Sequence, residues 1–174
     1  MQLYSQLKSQ KLGYYKFNDP AAFVHLEKFF KMRMIKLWNR TALYPILHYP
    51  IGIHYLRKTQ KLLKELYMSD MQTQYGEVDA WRGIDQSTDV WHNDMPDGYN
   101  TAFLMYLCNT NTATGGGLQF RTKDAKYTEI VFPKKYDIIM LDQDLKYEHR
   151  VLPVFAPINR DIANIEFNII EGSI

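Results

Sequence analysis

The chain has 174 residues, a formal net charge of +2 and one cysteine, a length that suits one domain with a substantial buried core. Apolar residues at 46% and charged residues at 23% argue against disorder, and the aromatic share of 14% favours sheet-rich packing. With Cys108 alone, an intramolecular disulfide framework is excluded and a reducing compartment is expected. We therefore predict one domain over residues 1–174, with a helical lead over 1–76 and a β core over 77–174.

The start of the chain lacks the continuous apolar stretch of a secretory signal. No later segment approaches the run of about 18 apolar residues that a membrane helix needs. The sequence therefore predicts a soluble, cytoplasmic protein with no membrane partner.

Charge is distributed unevenly between the two halves of the chain. Residues 1–75 hold 12 Lys and Arg against 4 Asp and Glu, whereas residues 76–174 hold 9 against 15. A basic half can provide a surface for nucleic acid, but helices with lysines on their solvated faces produce the same asymmetry. Both interpretations stay open at the level of sequence.

Two amphipathic helices are predicted in the first half. Asn18-Asp19-Pro20 resembles a helix start, with Asp19 as the cap and Pro20 at the first helical position. The following stretch to Trp38 has apolar residues at spacings of three and four, and a similar stripe recurs over residues 53–70. Tyr44-Pro45 and the Pro50-Ile51-Gly52 stretch predict a loop between them.

From about residue 77, short β-branched and aromatic runs alternate with turn residues, which predicts strands. We expect eight of them, at Val78–Asp85, Asp89–His92, Thr101–Asn109, Gly117–Arg121, Thr128–Phe132, Asp137–Asp142, Tyr147–Leu152 and Arg160–Ile169. The predicted fold is α+β: an all-β core with a helical lead. Its core is a double-stranded β-helix, or jelly roll, of eight antiparallel strands with the N-terminal helices packed on one sheet.

His92 and Asp94 are separated by one residue where a predicted strand enters a loop. Side chains at i and i+2 of a strand share a face, so both can approach one ion, and His149 can supply a third ligand. Two imidazoles and a carboxylate on one face of an octahedron leave positions open for co-substrate and O₂. A His-x-Asp pair is weak evidence by itself, because a strand histidine is commonly a structural hydrogen-bonding residue.

Arg160 follows His149 by eleven positions. If the last two strands form a hairpin in which paired residue numbers sum to 309, Arg160 lies opposite His149 and shares its face. A guanidinium there can hold the far carboxylate of a five-carbon diacid through two parallel hydrogen bonds. The alternative is a surface arginine paired with Asp161 or Glu166.

Other polar features of the sequence have simpler explanations. His25, His48 and His54 do not match the spacing of a second metal site, and structural roles are expected. The glycines at 115–117 are followed by neither a Lys-Ser pair nor a helix start, so a tight turn between strands is expected instead of a phosphate cradle.

The stretch from Trp81 to Ile169 resembles the 2-oxoglutarate/Fe(II)-dependent oxygenase superfamily, and most of all its prolyl-hydroxylase-like branch. HNDMPDGYNTAFLMYLCN resembles the metal-binding loop and third core strand of that branch, and GGGLQF its double-glycine turn and fourth strand. EHRV followed by NRDIANIEF resembles its distal histidine and its co-substrate-binding basic residue.

The resemblance implies that His92, Asp94 and His149 bind iron and that Arg160 binds the C5 carboxylate of 2-oxoglutarate. It also matches Tyr106 to a tyrosine that hydrogen-bonds the same carboxylate, although an aromatic residue in an apolar strand is equally well explained as core. Halogenating members carry a small residue in place of the carboxylate ligand. The presence of Asp94 therefore implies hydroxylation or a related oxidation.

The implied cofactors are Fe(II), 2-oxoglutarate as co-substrate and O₂, with ascorbate as a supporting reductant. By analogy with the nearest branch, the group hydroxylated would be a peptidyl prolyl or similar residue. A peptide, a protein or a small molecule is the favoured substrate. Three alternatives stay open: hydroxylation or demethylation of nucleic acid, a cupin-type metalloenzyme that does not use 2-oxoglutarate, and a non-catalytic jelly-roll binding module. The predicted pocket mouth consists of the loop 44–54 with Gln86, Trp91, Asn93, Met95 and Tyr99.

Overall fold

A computed structural model describes residues 2–31, 50–83, 90–94, 98–155 and 160–170, with the backbone alone at residues 50, 51, 81–83 and 160. In chain order its elements are α1 (Gln2–Lys8), β1 (Tyr14–Asn18), a 3₁₀ turn (Pro20–Phe23), α2 (Val24–Lys31), α3 (Pro50–Tyr67), β2 (Thr73–Gly83), β3 (Thr101–Tyr106), β4 (Leu118–Thr122), β5 (Thr128–Val131), β6 (Asp137–Asp142), β7 (Tyr147–Val151) and β8 (Arg160–Ile169).

The strands form two antiparallel sheets. The major sheet has the order β1-β6-β3-β8-β2, and the minor sheet has the order β5-β4-β7. His92 extends the minor sheet by a single antiparallel bridge to His149 on β7. From β2 to β8 the chain crosses repeatedly between the sheets, apart from the β4–β5 hairpin within the minor sheet, and this connectivity is typical of a jelly roll.

The inner core lies between the sheets and explains why β3 and β6 are buried at every position. Alternate residues of these strands, including Leu104 and Ile139, point inward and pack with Leu118 and Phe120 of β4. The intervening residues point to the opposite face of the major sheet and form a second cluster. Because both faces of the major sheet are covered, these strands carry no polar–apolar alternation.

The helices cover the outer face of the major sheet. Leu26 of α2 and Leu56 of α3 belong to the same buried cluster as Phe103 and Phe167. The predicted cap is confirmed: the Asp19 carboxylate accepts a hydrogen bond from the Ala21 amide at 2.9 Å. None of the helices in the described ranges is long and apolar enough to cross a membrane.

Helix positions differ in detail from the sequence prediction. The first turn after Asp19 is 3₁₀, and the stripe beyond Lys31 falls outside the described residues. The second predicted helix, 53–70, runs from Pro50 to Tyr67. The short α1 was not predicted.

Strand predictions were wrong in three places. β2 begins at Thr73, five residues before the predicted Val78, and the predicted end at Asp85 lies outside the described residues. Of the strand predicted at 89–92, the described residues retain only the bridge at His92. β1 was missed because Tyr14 packs in the inner core and Tyr15 against the helices, so aromatic residues occupy both faces and no period of two is visible.

The predicted hairpin between the last two strands was also wrong. β7 pairs with β4, which places Phe120 opposite His149, whereas β8 pairs with β2 and β3 in the other sheet. Arg160 is consequently opposite Gly83 and not opposite His149. The connection after Val151 crosses from one sheet to the other, which residue spacing alone does not reveal.

The glycine run before β4 forms the predicted turn. Gly115 and Gly116 have φ angles of 73° and 74°, which favour glycine, and the Gly115 amide donates to the Asn111 carbonyl at 2.8 Å. A Cβ at Gly115 would lie 2.1 Å from the Pro153 carbonyl oxygen. The turn thus brings the start of β4 against the segment that follows β7.

Gln60 joins the helical layer to an irregular point in the major sheet. Pairing between β2 and β8 shifts register between Tyr75 and Val78, and the buried Gln60 amide donates to the carbonyls of Gly76 at 3.1 Å and Glu166 at 2.8 Å. This side chain therefore satisfies backbone groups that the interrupted ladder does not pair.

We expect Gln60→Ala to lower the free energy of unfolding by about 2–4 kcal/mol, since it removes buried hydrogen bonds and leaves a small cavity. Urea unfolding monitored by circular dichroism measures the effect. Lys61→Ala is the matched control on the next, exposed position of α3, and a change within about 0.5 kcal/mol is expected there. Equal losses in the two variants would contradict this role for Gln60.

Candidate metal centre

The predicted ligands His92 and His149 lie side by side at one edge of the minor sheet. Their backbones exchange hydrogen bonds, from the His92 amide to the His149 carbonyl at 3.0 Å and from the His149 amide to the His92 carbonyl at 2.9 Å. Their ring centroids are 4.4 Å apart. A directly opposed antiparallel pair places both side chains on one face, and here both imidazoles are brought together in this way.

Asp94 completes a cluster of three groups. One carboxylate oxygen lies 3.7 Å from His92 Nε2, and the other lies 3.5 Å from His149 Nε2. The candidate ligand atoms of the three residues all lie within 4.8 Å of one another. Ligands at right angles around an ion with bonds of about 2.1 Å are separated by about 3 Å, so the cluster is close to the size that one ion requires.

The surroundings of the two imidazoles suit metal binding. His92 Nδ1 lies 3.0 Å from the Val90 carbonyl oxygen, which favours a proton on Nδ1 and leaves the Nε2 lone pair on the side of Asp94. Burial lowers the pKa of His149 to about 4; Asp94 opposes this effect and His92 adds to it. The His149 ring is thus neutral at pH 7, the form that binds a metal ion.

The segment that carries His92 and Asp94 is fixed to the connection between β6 and β7. The Asn93 side-chain amide donates to the carbonyls of Asp144 at 3.0 Å and Tyr147 at 2.9 Å. The Asp94 amide donates to the side-chain oxygen of Gln143 at 3.2 Å. These contacts orient the cluster, and nothing in the spacing of residues predicts the role of Gln143.

Trp91 lies on the outer face of the minor sheet, and not at the pocket mouth where it was predicted. Two guanidinium groups lie close to its ring centroid, that of Arg121 at 4.1 Å and that of Arg150 at 4.7 Å. Glu148 holds Arg121 with contacts of 2.8 and 2.7 Å, and Gln119 accepts a hydrogen bond from Arg150 at 2.8 Å. These cation–π contacts anchor Trp91, the residue that precedes His92.

The predicted co-substrate residues are only partly described. Tyr106 is 1% exposed and belongs to the inner core, where it is paired with Ile162 near the start of β8. The Arg160 side chain lies outside the described part of the chain, as do Gln86 and Met95 of the predicted pocket mouth. Tyr106 and the first residues of β8 therefore share one end of the inner face of the major sheet.

The remaining histidines are separate from the cluster. His25 and His54 belong to α2 and α3, on the outer side of the major sheet, and His48 lies outside the described residues. Burial lowers the pKa of His25, and the ammonium groups of Lys58 and Lys28 lower it further.

Comparison with known proteins shows the fold. No protein-family model and no curated protein sequence matches the chain. Among solved structures, an oxidoreductase of the 2OG-Fe(II) oxygenase family from Burkholderia pseudomallei has a TM-score of 0.70 and 12% identity, over 96% of this chain and 88% of that one. A Trichoplax adhaerens prolyl hydroxylase, in complex with a hypoxia inducible factor peptide fragment, has a TM-score of 0.64 and 16% identity, over 96% and 90%.

A third structure adds information about bound groups. HygX from Streptomyces hygroscopicus has a TM-score of 0.65 and 13% identity, over 96% of this chain and 85% of that one. It has been solved with iron bound and with nickel and 2-oxoglutarate bound. The chain described here has the fold shared by these oxygenases.

The anchoring of the metal-binding segment gives a testable expectation. Asn93→Ala should weaken binding of Ni(II) by about 10- to 100-fold, because the carbonyls of Asp144 and Tyr147 lose the group that holds the segment beside them. Isothermal titration at pH 7.5 measures the affinity. Lys146→Ala, at an exposed position of the same connection, is the control and should leave the affinity within about two-fold. Unchanged binding in Asn93→Ala would show that the segment is held by other contacts.

Proposed function

We propose that this protein is an Fe(II)- and 2-oxoglutarate-dependent dioxygenase that hydroxylates a C–H bond of its substrate. The observation that carries the proposal is the convergence of His92, Asp94 and His149 at one end of the space between two antiparallel sheets. The likeness in fold to 2OG-Fe(II) oxygenases supports it independently.

In this proposal His92, Asp94 and His149 hold the iron. Two imidazoles and one carboxylate suit Fe(II), and three protein ligands on one face leave the opposite positions for other groups. Bound Fe(II) and 2-oxoglutarate supply the oxidising chemistry, with O₂ as the oxidant and succinate and CO₂ as the co-products. The protein's own tasks are to fix the ligands, hold the co-substrate and position the substrate.

Arg160 and Tyr106 are the residues proposed to bind the far carboxylate of 2-oxoglutarate. Side chains alternate along a strand, so position 160 has the same parity as Ile162, which packs in the inner core. Tyr106 pairs with Ile162 and faces the same space. A guanidinium and a phenol hydroxyl are both hydrogen-bond donors, as a carboxylate requires.

The interior of the jelly roll provides an apolar environment around these groups. Leu104, Leu118 and Phe120 are buried between the sheets, and the Phe120 ring centroid lies 6.2 Å from that of His149. An apolar wall of this kind excludes water from the reacting groups and strengthens the hydrogen bonds that orient them.

A peptidyl prolyl or similar residue is the substrate that the comparisons favour, since one structural neighbour is a prolyl hydroxylase solved with a peptide. The nucleic-acid alternative has less support. Part of the basic charge is used inside the fold, because Lys8 pairs with Asp142 at 3.0 Å and Lys16 with Asp137 at 3.2 Å. These lysines stabilise the molecule and do not form a phosphate-binding patch.

The oxygenase activity is tested by succinate release. Protein with Fe(II), ascorbate and 2-oxoglutarate should release succinate slowly without any added substrate, and His92→Ala and His149→Ala should abolish this release through loss of the metal. Arg160→Ala should raise the KM for 2-oxoglutarate by at least about ten-fold, as expected for loss of a bidentate charge-assisted contact. Lys126→Ala, an exposed residue on the β4–β5 turn, is the control and should change neither parameter.

The pattern of results separates the alternatives. A cupin-type metalloenzyme would retain its metal-linked activity in Arg160→Ala, and a non-catalytic module would release no succinate in any form. Addition of peptide, small-molecule and nucleic-acid pools to the same assay tests the substrate class. A nucleic-acid substrate would lose affinity steeply as salt rises, whereas stimulation by peptides would depend on salt only weakly.

A further inference from the structure

Most of the inner core is apolar, but the end of the major sheet near the metal cluster carries Gln143, Asn164 and Glu166. These three residues form a polar wall. β6 ends at Asp142 and continues into Gln143, whose side chain contacts the Asp94 amide. Thr101 is paired with both Asp142 and Phe167, so the last residues of β8 lie at this same end of the major sheet. The end of β8 and the metal cluster thus belong to one region of the molecule.

Strand register places two polar side chains of β8 on the inner face. Glu166 is opposite Ala102 and Asn164 is opposite Leu104, and both partners belong to the inner core. Directly opposed residues of antiparallel strands share a face. Asn164 and Glu166 therefore face the space between the sheets.

These side chains are buried and directly linked. Glu166 is 5% exposed, and its carboxylate accepts a hydrogen bond from the Asn164 amide at 2.9 Å. Gln60 fixes the backbone at this point by donating to the Glu166 carbonyl at 2.8 Å. The carboxylate is therefore a positioned part of the wall.

Two buried side-chain atoms at this end of the inner face have no hydrogen-bond partner within the described part of the chain. One is the Asn164 side-chain oxygen, and the other is the side-chain nitrogen of Gln143, a residue that is 2% exposed. Gln143 has the same parity as Leu141 of the inner core, and its oxygen already bonds the Asp94 amide. Buried polar atoms are normally satisfied, so an acceptor and a donor left over beside a metal cluster indicate a bound ligand.

The charge and polarity of the wall restrict that ligand. A carboxylate and an amide oxygen accept hydrogen bonds, so together they favour a protonated nitrogen and disfavour an anion. The dianion 2-oxoglutarate is therefore a poor match for this end of β8, in keeping with its proposed binding at the opposite end by Arg160. A phosphate-rich substrate is disfavoured for the same reason.

We propose that the primary substrate carries an ammonium or guanidinium group that binds Glu166 and Asn164, while a separate oxygen of the substrate, on the side of β6, accepts a hydrogen bond from Gln143. This inference rests on the oxygenase function proposed above and specifies its substrate: a basic residue takes the place of the prolyl residue that the fold comparison favours.

The dimensions of the jelly roll are compatible with a substrate of amino-acid size. β3 alone separates β6 from β8, so Gln143 and Glu166 lie about 10 Å apart across two strand spacings, and facing sheets are also about 10 Å apart. Ala102, between Leu141 and Glu166, contributes only a methyl group to this part of the inner face. A cationic side chain or a free amine can thus bind the wall while a neighbouring carbon faces the metal cluster.

Binding to the catalytically inactive Ni(II) and 2-oxoglutarate complex tests the inference. The probes are matched pairs: N-acetyl-lysine amide against N-acetyl-norleucine amide, and N-acetyl-arginine amide against N-acetyl-citrulline amide. Calorimetric titration of the wild type should show at least about ten-fold tighter binding of the cationic member of each pair. Glu166→Gln, close in shape and neutral, should reduce this preference to below about two-fold.

Asn164→Leu gives a second, independent test in case the first variant does not fold. It removes the side-chain oxygen proposed to accept a hydrogen bond from the cation, so the preference for the cationic probes should decrease several-fold. Melting curves of each variant establish that the fold is retained.

Equal affinity of the wild type for cationic and neutral probes would overturn the inference, as would an unchanged preference in folded Glu166→Gln or Asn164→Leu. Succinate release by the wild type without probes is measured on the same preparation. Release without any preference for cations would reject the inference and retain the oxygenase; absence of release would reject the oxygenase itself.

Discussion

The reciprocal backbone pair between His92 and His149 is the contact on which the candidate centre depends. Within the described residues 90–94, this bridge joins the segment to the minor sheet, and its two hydrogen bonds of 3.0 and 2.9 Å set the positions of both histidines. Neighbouring side chains reinforce the bridge: Trp91 contacts two guanidinium groups, Asn93 bonds two carbonyls, and Gln143 bonds the Asp94 amide. These contacts anchor the segment that carries His92 and Asp94.

The two sheets carry different groups of the proposed site. The minor sheet carries His149 and the bridge to His92, while the inner face of the major sheet carries Tyr106 at one end and Asn164 and Glu166 at the other. Helices cover the outer face of the major sheet, and Gln60 connects them to the backbone of Glu166. Because Asn164 and Glu166 are held by a different sheet from the two histidines, we expect substitutions at these two positions to change substrate preference while leaving the ligands in place.

The sequence predicts the metal cluster better than it predicts the surroundings. His92 and Asp94 are two residues apart on an extended segment, so their common face can be predicted from local sequence. His149 near the start of a later strand can also be recognised even when the pairing of the strands is predicted wrongly. The predicted hairpin between β7 and β8 was wrong because the chain crosses from one sheet to the other between them. That crossing depends on which strands bury which faces, and the spacing of residues does not reveal it. The parity of Arg160 with Ile162 gives a reason for its proposed role that does not need that hairpin.

Residues that act through tertiary contacts could not be predicted. Gln143 and Glu166 resemble any polar residues at strand ends, and only the register of β3 with β8 brings Glu166 onto the inner face.

The most direct test of the centre is the anomalous scattering of a crystal grown with Mn(II) and 2-oxoglutarate. We expect a peak within about 2.3 Å of His92 Nε2, His149 Nε2 and an Asp94 oxygen. A well-ordered crystal with no peak between these atoms, or with the ion bound by other residues, would contradict the assignment of the site.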